Sequence, residues 1–436
     1  MSQEKIWTTL GPEFGEEAGR AKVVKSLYGL ITSAHAWYEV FTTTIRNFGF
    51  IPSKIMPCLW YMPAKDGESY DYLSHHVDDF LHTSDEYSKF LEHLRKEYTV
   101  TGGEFPDVHL GMNIKRCEDG KIILSCHDYI SQAIERIKKL VGKDSLKSYD
   151  SVTKDNWEPE LDDSPLLDEE GKKLFQRLID IGIWLVCIGR FDIHFPINQL
   201  SRFTQAPRQG HVDDALRVFG FLQKWQNRGV ATAGKPTVAF WDQLDSRKVM
   251  YPGSMKDYYP DSVFEDLKDP PEPKGDSVEV NIFVDASHAD DKLDRKSVTG
   301  ILVYVGDMLI KSVSKRQKSV ATSTFASEFL ALKSAVEEAQ SMRLLLQSIG
   351  VPIKGPINIH SDSESVLTSA ANPGHDLKRK HVAISYNLVR ENIATEVASL
   401  WKIDTKLNPS DPLTKSLPRI PLQGHLERLQ TNIQTV

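Results

Sequence analysis

At 436 residues the chain is long enough for two or three domains, and 40% hydrophobic with 26% charged residues is an ordinary globular composition. A net charge of −7 argues against a general nucleic-acid coat, and no apolar run reaches bilayer-spanning length, Ile181–Ile188 being the longest candidate. The four cysteines, Cys58, Cys117, Cys126 and Cys187, have neither CxxC nor zinc-ligand spacing, and Met1-Ser2-Gln3-Glu4-Lys5 lacks a signal-peptide pattern. A reduced intracellular setting with packing roles for the thiols is therefore expected.

In chain order, a helix is predicted from about Ala34 to Phe48, with Trp37, Tyr38, Phe41 and Ile45 on one face. Strand-like Cys58–Met62 and Tyr70–His75 flank Ala64-Lys65-Asp66-Gly67, a hairpin signal. His76-Val77-Asp78-Asp79 then sets two adjacent carboxylates at a tight turn. The acidic stretch from Asp155 to Glu170 reads as an exposed linker or solvated loop, and Pro270, Pro271 and Pro273 interrupt regular structure before the last third. Between these breaks the pattern is largely helical, as at Lys172–Ile188 and His211–Gln226. The expected domains are thus 1–150, 151–275 and 276–436. The last opens with strands at 278–286, 298–305 and 308–314 and a long helix at 325–348, whose stripe Leu330, Val336, Leu344 and Leu345 is expected to be core. A strand, two helices, a strand and a short helix follow. The fold class is mixed α/β, of the α+β kind.

Four carboxylates in that last third lie at element ends that could share one point. Asp285 ends the alternating run Val278–Val284, Glu328 opens the long helix, Asp362 follows Ile357–His360, and Asp411 starts a short helix after Asn408-Pro409-Ser410. Singly, such residues are solvated or cap helices, and Asp411 is a good N-cap. Brought together and buried, they would need cations. Hard oxygen donors suit Mg²⁺, and two such ions form a clamp for phosphodiester hydrolysis. Basic clusters nearby are Lys311, Lys315, Arg316 and Lys318, then Lys378, Arg379 and Lys380. Phosphate contact and solvated surface both fit them.

At these residues the chain resembles the Pol polyprotein of Ty1/copia-type LTR retrotransposons, in the downstream part of reverse transcriptase followed by ribonuclease H. Lys25-Ser26-Leu27-Tyr28-Gly29-Leu30 with Ala36-Trp37-Tyr38, and Pro57-Cys58-Leu59, resemble its early segments, with Met56 where the family has Asp. His76-Val77-Asp78-Asp79 resembles the polymerase YVDD box, with His76 in place of Tyr and, upstream, Thr32 in place of a Gln. Phe191-Asp192-Ile193 and Asn198–Phe203 resemble the connection, while Arg295–Gly300, Lys380-His381 and Asp411-Pro412-Leu413-Thr414-Lys415 resemble ribonuclease H hallmarks. The ordered succession makes the resemblance specific.

The resemblance implies a partial palm and thumb over 1–150, lacking fingers and the first catalytic strand, then a connection over 151–275. A ribonuclease H-like domain with a central mixed five-stranded sheet would occupy 276–436. It implies Asp285, Glu328, Asp362 and Asp411 as catalytic ligands of two Mg²⁺ ions, with Mn²⁺ as a substitute. Glu328 takes the helix position because the other family Glu is here Ala326. One ion would lie on Asp285, Asp362 and Asp411 and orient water; the other, on Asp285, Glu328 and Asp362, would stabilise the leaving 3′ oxygen. The expected substrate is the RNA strand of an RNA–DNA hybrid, read through its 2′-hydroxyls, with Lys315, Arg316, Lys318, Lys378, Arg379 and Lys380 on phosphates. Asp78 and Asp79 would be a polymerase remnant, its activity lost with the missing aspartate. Further Pol segments or a second subunit are the other expected partners, no membrane is involved, and a cytoplasmic particle or the nucleus is the expected location. The competing reading is a non-enzymatic remnant, decayed or domesticated to bind nucleic acid.

Overall fold

The computed structural model describes residues 7–22, 32–232, 245–250, 254–372, 383–429 and 431–432. The chain forms two compact units, Met1–Phe105 and Pro106–Val436. In the first, β1 (Trp7–Leu10) pairs antiparallel with β2 (Gly19–Lys22), and α1 (Ser33–Phe48) follows. An antiparallel sheet then runs in the order β3 (Ile51–Pro52), β4 (Leu59–Pro63), β5 (Tyr70–His76), β6 (Asp79–Thr83), ahead of α2 (Tyr87–Arg95). The expected helix and hairpin are both present. Asp66 Oδ1 accepts from the Glu68 and Ser69 amides and so closes the loop between β4 and β5. The face of α1 predicted to be apolar buries Phe41 and Ile45 against Phe50, Trp60, Leu73, Phe90 and Leu94.

The second unit begins with β7 (Val108–His109), β8 (Met112–Arg116) and β9 (Ile122–Ser125). Helices α3 (His127–Val141), α4 (Glu169–Cys187), α5 (His194–Ser201) and α6 (Gln209–Lys224) follow, and β10 (Arg228–Ala231) returns to pair with β9. Asp168 caps α4 by accepting from the Gly171 amide at 2.8 Å. The helices share a core that includes Ile130, Ile137, Phe175, Leu178, Phe219 and Leu222. The acidic stretch before α4 is mostly exposed but tied to α6: Trp157 Nε1 donates to Asp214 Oδ2 at 2.7 Å, and His211 Nε2 meets Pro159 O at 2.9 Å.

The largest sheet receives β11 (Arg247–Lys248) and, after α7 (Met255–Tyr258), the strands β12 (Val280–Ala286), β13 (Val298–Val305) and β14 (Met308–Arg316). Then come α8 (Thr324–Gln347), β15 (Ile357–Ser361), α9 (Glu364–Ala371), α10 (Ala383–Ala394) and β16 (Ala398–Lys402). The strand order is β11-β16-β15-β12-β13-β14. β12, β13 and β14 run antiparallel, whereas β12, β15 and β16 are parallel, so the sheet is mixed as expected. Its sixth strand, β11, comes from the segment before residue 276. One face, Val280, Ile282 and Val284 with Ile357 and Ile359, packs on α8, α9 and α10. The other packs Phe283, Leu302 and Tyr304 against Phe191 and Val230.

Three readings need correction. The buried face of α8 is Phe329, Leu332, Ala335, Val336, Ala339, Met342 and Leu346, a proper 3.6-residue stripe. Leu330, Leu344 and Leu345 lie on its flanks, only half-buried. Cys58 and Cys187 are exposed thiols, not packing residues, while Cys126 is buried. A helix not foreseen, α11 (Arg419–Leu429), buries Leu422 and Leu426 in the helical core, and β17 (Thr431–Asn432) pairs with β10. Among the described residues no helix is long and apolar enough to cross a membrane.

Candidate active site

Parallel pairing sets the site. Val284 lies in register with Ser361, so Asp285, the penultimate residue of β12, and Asp362, just past β15, come next to each other on adjacent strands. Glu328 sits near the start of α8, where the N-cap Ser323 accepts from the Ala326 amide at 3.2 Å. One carboxylate oxygen from each of Asp285, Glu328 and Asp362 lies within 4.8 Å of the others. Asp285 is buried; Glu328 and Asp362 are partly so.

Asp411 comes from a turn locked onto the strands. Asn408 Nδ2 donates to Val284 O at 3.0 Å, while Asn408 Oδ1 accepts from the Ser410 amide and hydroxyl at 3.2 and 2.6 Å. Ser314 Oγ donates to Leu413 O at 2.7 Å. Gly300, paired with Asp285 across β12 and β13, leaves room for Ser410, Leu413 and Thr414. The Thr414 hydroxyl donates to Asp285 Oδ2, and Lys415 Nζ lies 3.1 Å from Asp411 Oδ2. Asp411 is buried, close enough that its charge acts on Asp285.

Burial, and then repulsion from Asp411, pushes the Asp285 carboxyl up to about 6. Burial with repulsion from Asp285 and Asp362 pushes Glu328 up to about 9. Burial also raises Asp411, opposed chiefly by Lys415, and burial with repulsion from Asp285 raises Asp362, opposed by a Thr405 hydrogen bond and by Lys402 and Lys415. Lys415 is itself raised: burial opposes its charge, and the attraction of Asp285 and Asp411 outweighs that cost. These directions mean that the anions are under-neutralised. Asp411 Oδ1 is moreover buried with no hydrogen-bond partner. An all-oxygen donor set with an orphaned buried carboxylate oxygen fits hard divalent cations.

The other predicted residues are dispersed. Asp78 and Asp79 are exposed at the turn between β5 and β6, where Val77 takes a left-handed φ of 58° and its carbonyl accepts from Trp37 Nε1 at 2.7 Å. Among the described residues no third acidic side chain forms a metal-binding group with them. Lys315 and Lys318 are exposed, but Arg316 is partly buried and pairs with Asp291 and Asp294. Lys378, Arg379, Lys380 and His381 lie outside the described residues. Lys415 and Thr414 were not singled out from the sequence; their signal was the run Asp411-Pro412-Leu413-Thr414-Lys415 itself.

Fold and site together define a mixed α/β protein with a buried acidic cluster on its main sheet. Its relatives are transposon polyproteins. The chain is 26% identical over 416 residues to the Retrovirus-related Pol polyprotein from transposon RE1 of Arabidopsis thaliana, and 25% over 419 residues to that from TNT 1-94 of Nicotiana tabacum, each match covering 94% of this chain. It is 21% identical over 436 residues to the Transposon Ty1-LR2 Gag-Pol polyprotein of Saccharomyces cerevisiae. The chain is thus related along nearly its whole length to Ty1/copia-type Pol polyproteins, as its motifs implied. It spans about a quarter of their length, 25% of RE1 and 28% of TNT 1-94. No protein-family model matches it. Among solved structures, the RNase H1 of Halobacterium salinarum NRC-1 matches at 16% identity and a TM-score of 0.25, over 31% of this chain and 94% of that one. LC11-RNase H1 in complex with an RNA/DNA hybrid matches at 14% and 0.25, over the same shares.

Proposed function

We propose that the chain is a reverse transcriptase/ribonuclease H segment whose 276–436 region hydrolyses the RNA strand of RNA–DNA hybrids. The observation that carries this reading is the convergence of Asp285, Glu328 and Asp362, with Asp411 beside them, on one buried point. Held by these four residues, two Mg²⁺ ions would supply an activated water and neutralise charge on the departing 3′ oxygen. Thr414 fixes the orientation of Asp285, and the Asn408–Ser410 turn fixes that of Asp411, so the ligands are set before substrate arrives. Lys315 and Lys318, exposed near the end of β14, would meet phosphates. Asp78 and Asp79, exposed and without a third acid among the described residues, read as a polymerase remnant.

The test is cleavage of a labelled RNA–DNA hybrid with Mg²⁺ or Mn²⁺. Wild type should cut only the RNA strand. Asp362→Asn should lower the rate by at least about a hundredfold without lowering the melting temperature, because it removes one ligand charge without changing shape. A wild-type protein that binds hybrid but never cuts it would instead favour the non-enzymatic remnant.

A further inference from the structure

Four carboxylates and one ammonium meet at this site. Lys415 follows the Asp411–Leu413 turn, and its Nζ lies 3.1 Å from Asp411 Oδ2. Its side chain is 40% exposed against 11% for Asp411, so the ammonium enters from the solvent side. Its charge acts on Asp285, Glu328, Asp362 and Asp411 alike. The nearby Lys402 donates to the Ile403 carbonyl at 2.6 Å, and of the four carboxylates its charge acts on Asp362. Asp285, Glu328 and Asp362 form a three-oxygen set of their own, and Asp411 lies beside them, close enough for its charge to act on Asp285 and Glu328.

We propose that Lys415 is a positioning residue that holds the place of the second divalent cation on Asp411. The first ion then loads at Asp285, Glu328 and Asp362, and the second binds only as Lys415 leaves. This rests on reading the site as a two-ion nuclease centre. An ammonium and a divalent ion on the same carboxylate repel strongly at such separation, so they compete rather than coexist. Lysine suits the role because it is a compact point charge on a flexible stem, able to swing to solvent without unfolding the turn. In the metal-free protein it also neutralises part of a cluster that would otherwise force the turn off the sheet.

The experiment is calorimetric titration of the whole chain with Mn²⁺, comparing wild type with Lys415→Met, which keeps length and loses charge, and Lys415→Arg, which keeps charge. In Lys415→Met the second ion should bind about tenfold more tightly and the first should change little. The same variant should melt earlier than wild type in EDTA, with the gap closing in saturating Mn²⁺. Lys415→Arg should behave as wild type in both. A second-ion affinity that is unchanged or weaker in Lys415→Met overturns the proposal. Should that variant fail to fold, amine acylation read by mass spectrometry on wild type decides: Lys415 should react faster once the second Mn²⁺ is bound, and no increase overturns the idea. A wild type that binds no divalent ion removes the two-ion reading itself; two bound ions with Lys415 insensitive to both remove only the lysine's role.

Discussion

Asp285 touches more of the site than any single reading of its strand suggests, and its proton makes a measurable prediction. In metal-free protein its carboxyl is pushed up to about 6 from 3.8, and Glu328 to about 9 from 4.5, burial being the first cause in both. Each group binds its proton more tightly folded than unfolded. The stability this gives is complete below the unfolded values and is lost as pH rises through the folded ones. The chain in EDTA should therefore melt at progressively lower temperature as pH rises from about 4 to about 9, and saturating Mg²⁺ should restore most of the loss at the alkaline end. A melting temperature in EDTA that is flat or rises over that range would show that the carboxylates are not crowded as described. Three of the site's residues were legible from where strands and a helix ended. Asp411 was read as the start of a short helix after Asn408-Pro409-Ser410, where the structure has a three-residue turn, too short to show any periodicity.

Elements meet at Gly300. A Cβ there would lie 2.7 Å from Thr414 Cγ2, 2.9 Å from Leu413 Cβ and 3.0 Å from Ser410 O, and the last of these is backbone. Gly300→Ala should therefore push the turn away from β13 at a cost of about 1–3 kcal/mol. Since that turn carries Asp411, Thr414 and Lys415, hybrid cleavage should fall further than the melting temperature alone would predict. A variant that cuts and melts like wild type would refute the interlock. The strands around Gly300 were readable because Val278–Val284 alternates and Val298–Val305 is largely apolar, as befits a strand buried on both faces. α11 was not readable, since Pro421 and Gly424 interrupt its pattern and only packing on the helical core sustains it. β11 is two residues long and gives no signal at all. The stripe on α8 was misread because leucines were followed instead of spacing; alanines at 335 and 339 line the true core face.

Across the second unit, the sheet with the acidic centre is not self-sufficient. Its far face buries Phe283, Leu302 and Tyr304 against Phe191 and Val230, and α11 returns to the helical core. Cutting the chain at residue 276 would uncover that apolar face. Residues 276–436 alone should thus be recovered as aggregate or bind a hydrophobic dye, whereas 106–436 should melt cooperatively; equal solubility and cooperativity of the two would contradict this. The parallel registry of β12 and β15 carries a consequence for how such a chain tolerates change. Ile357 and Ile359 face the helices, while Asn358 and His360 face away, and the alternation continues to Asp362. One residue inserted within Ile357–Ser361 would turn every later side chain to the opposite face and take Asp362 from Asp285. Variation in these strands should be confined to exchange of one side chain for another, with insertions and deletions found only outside them.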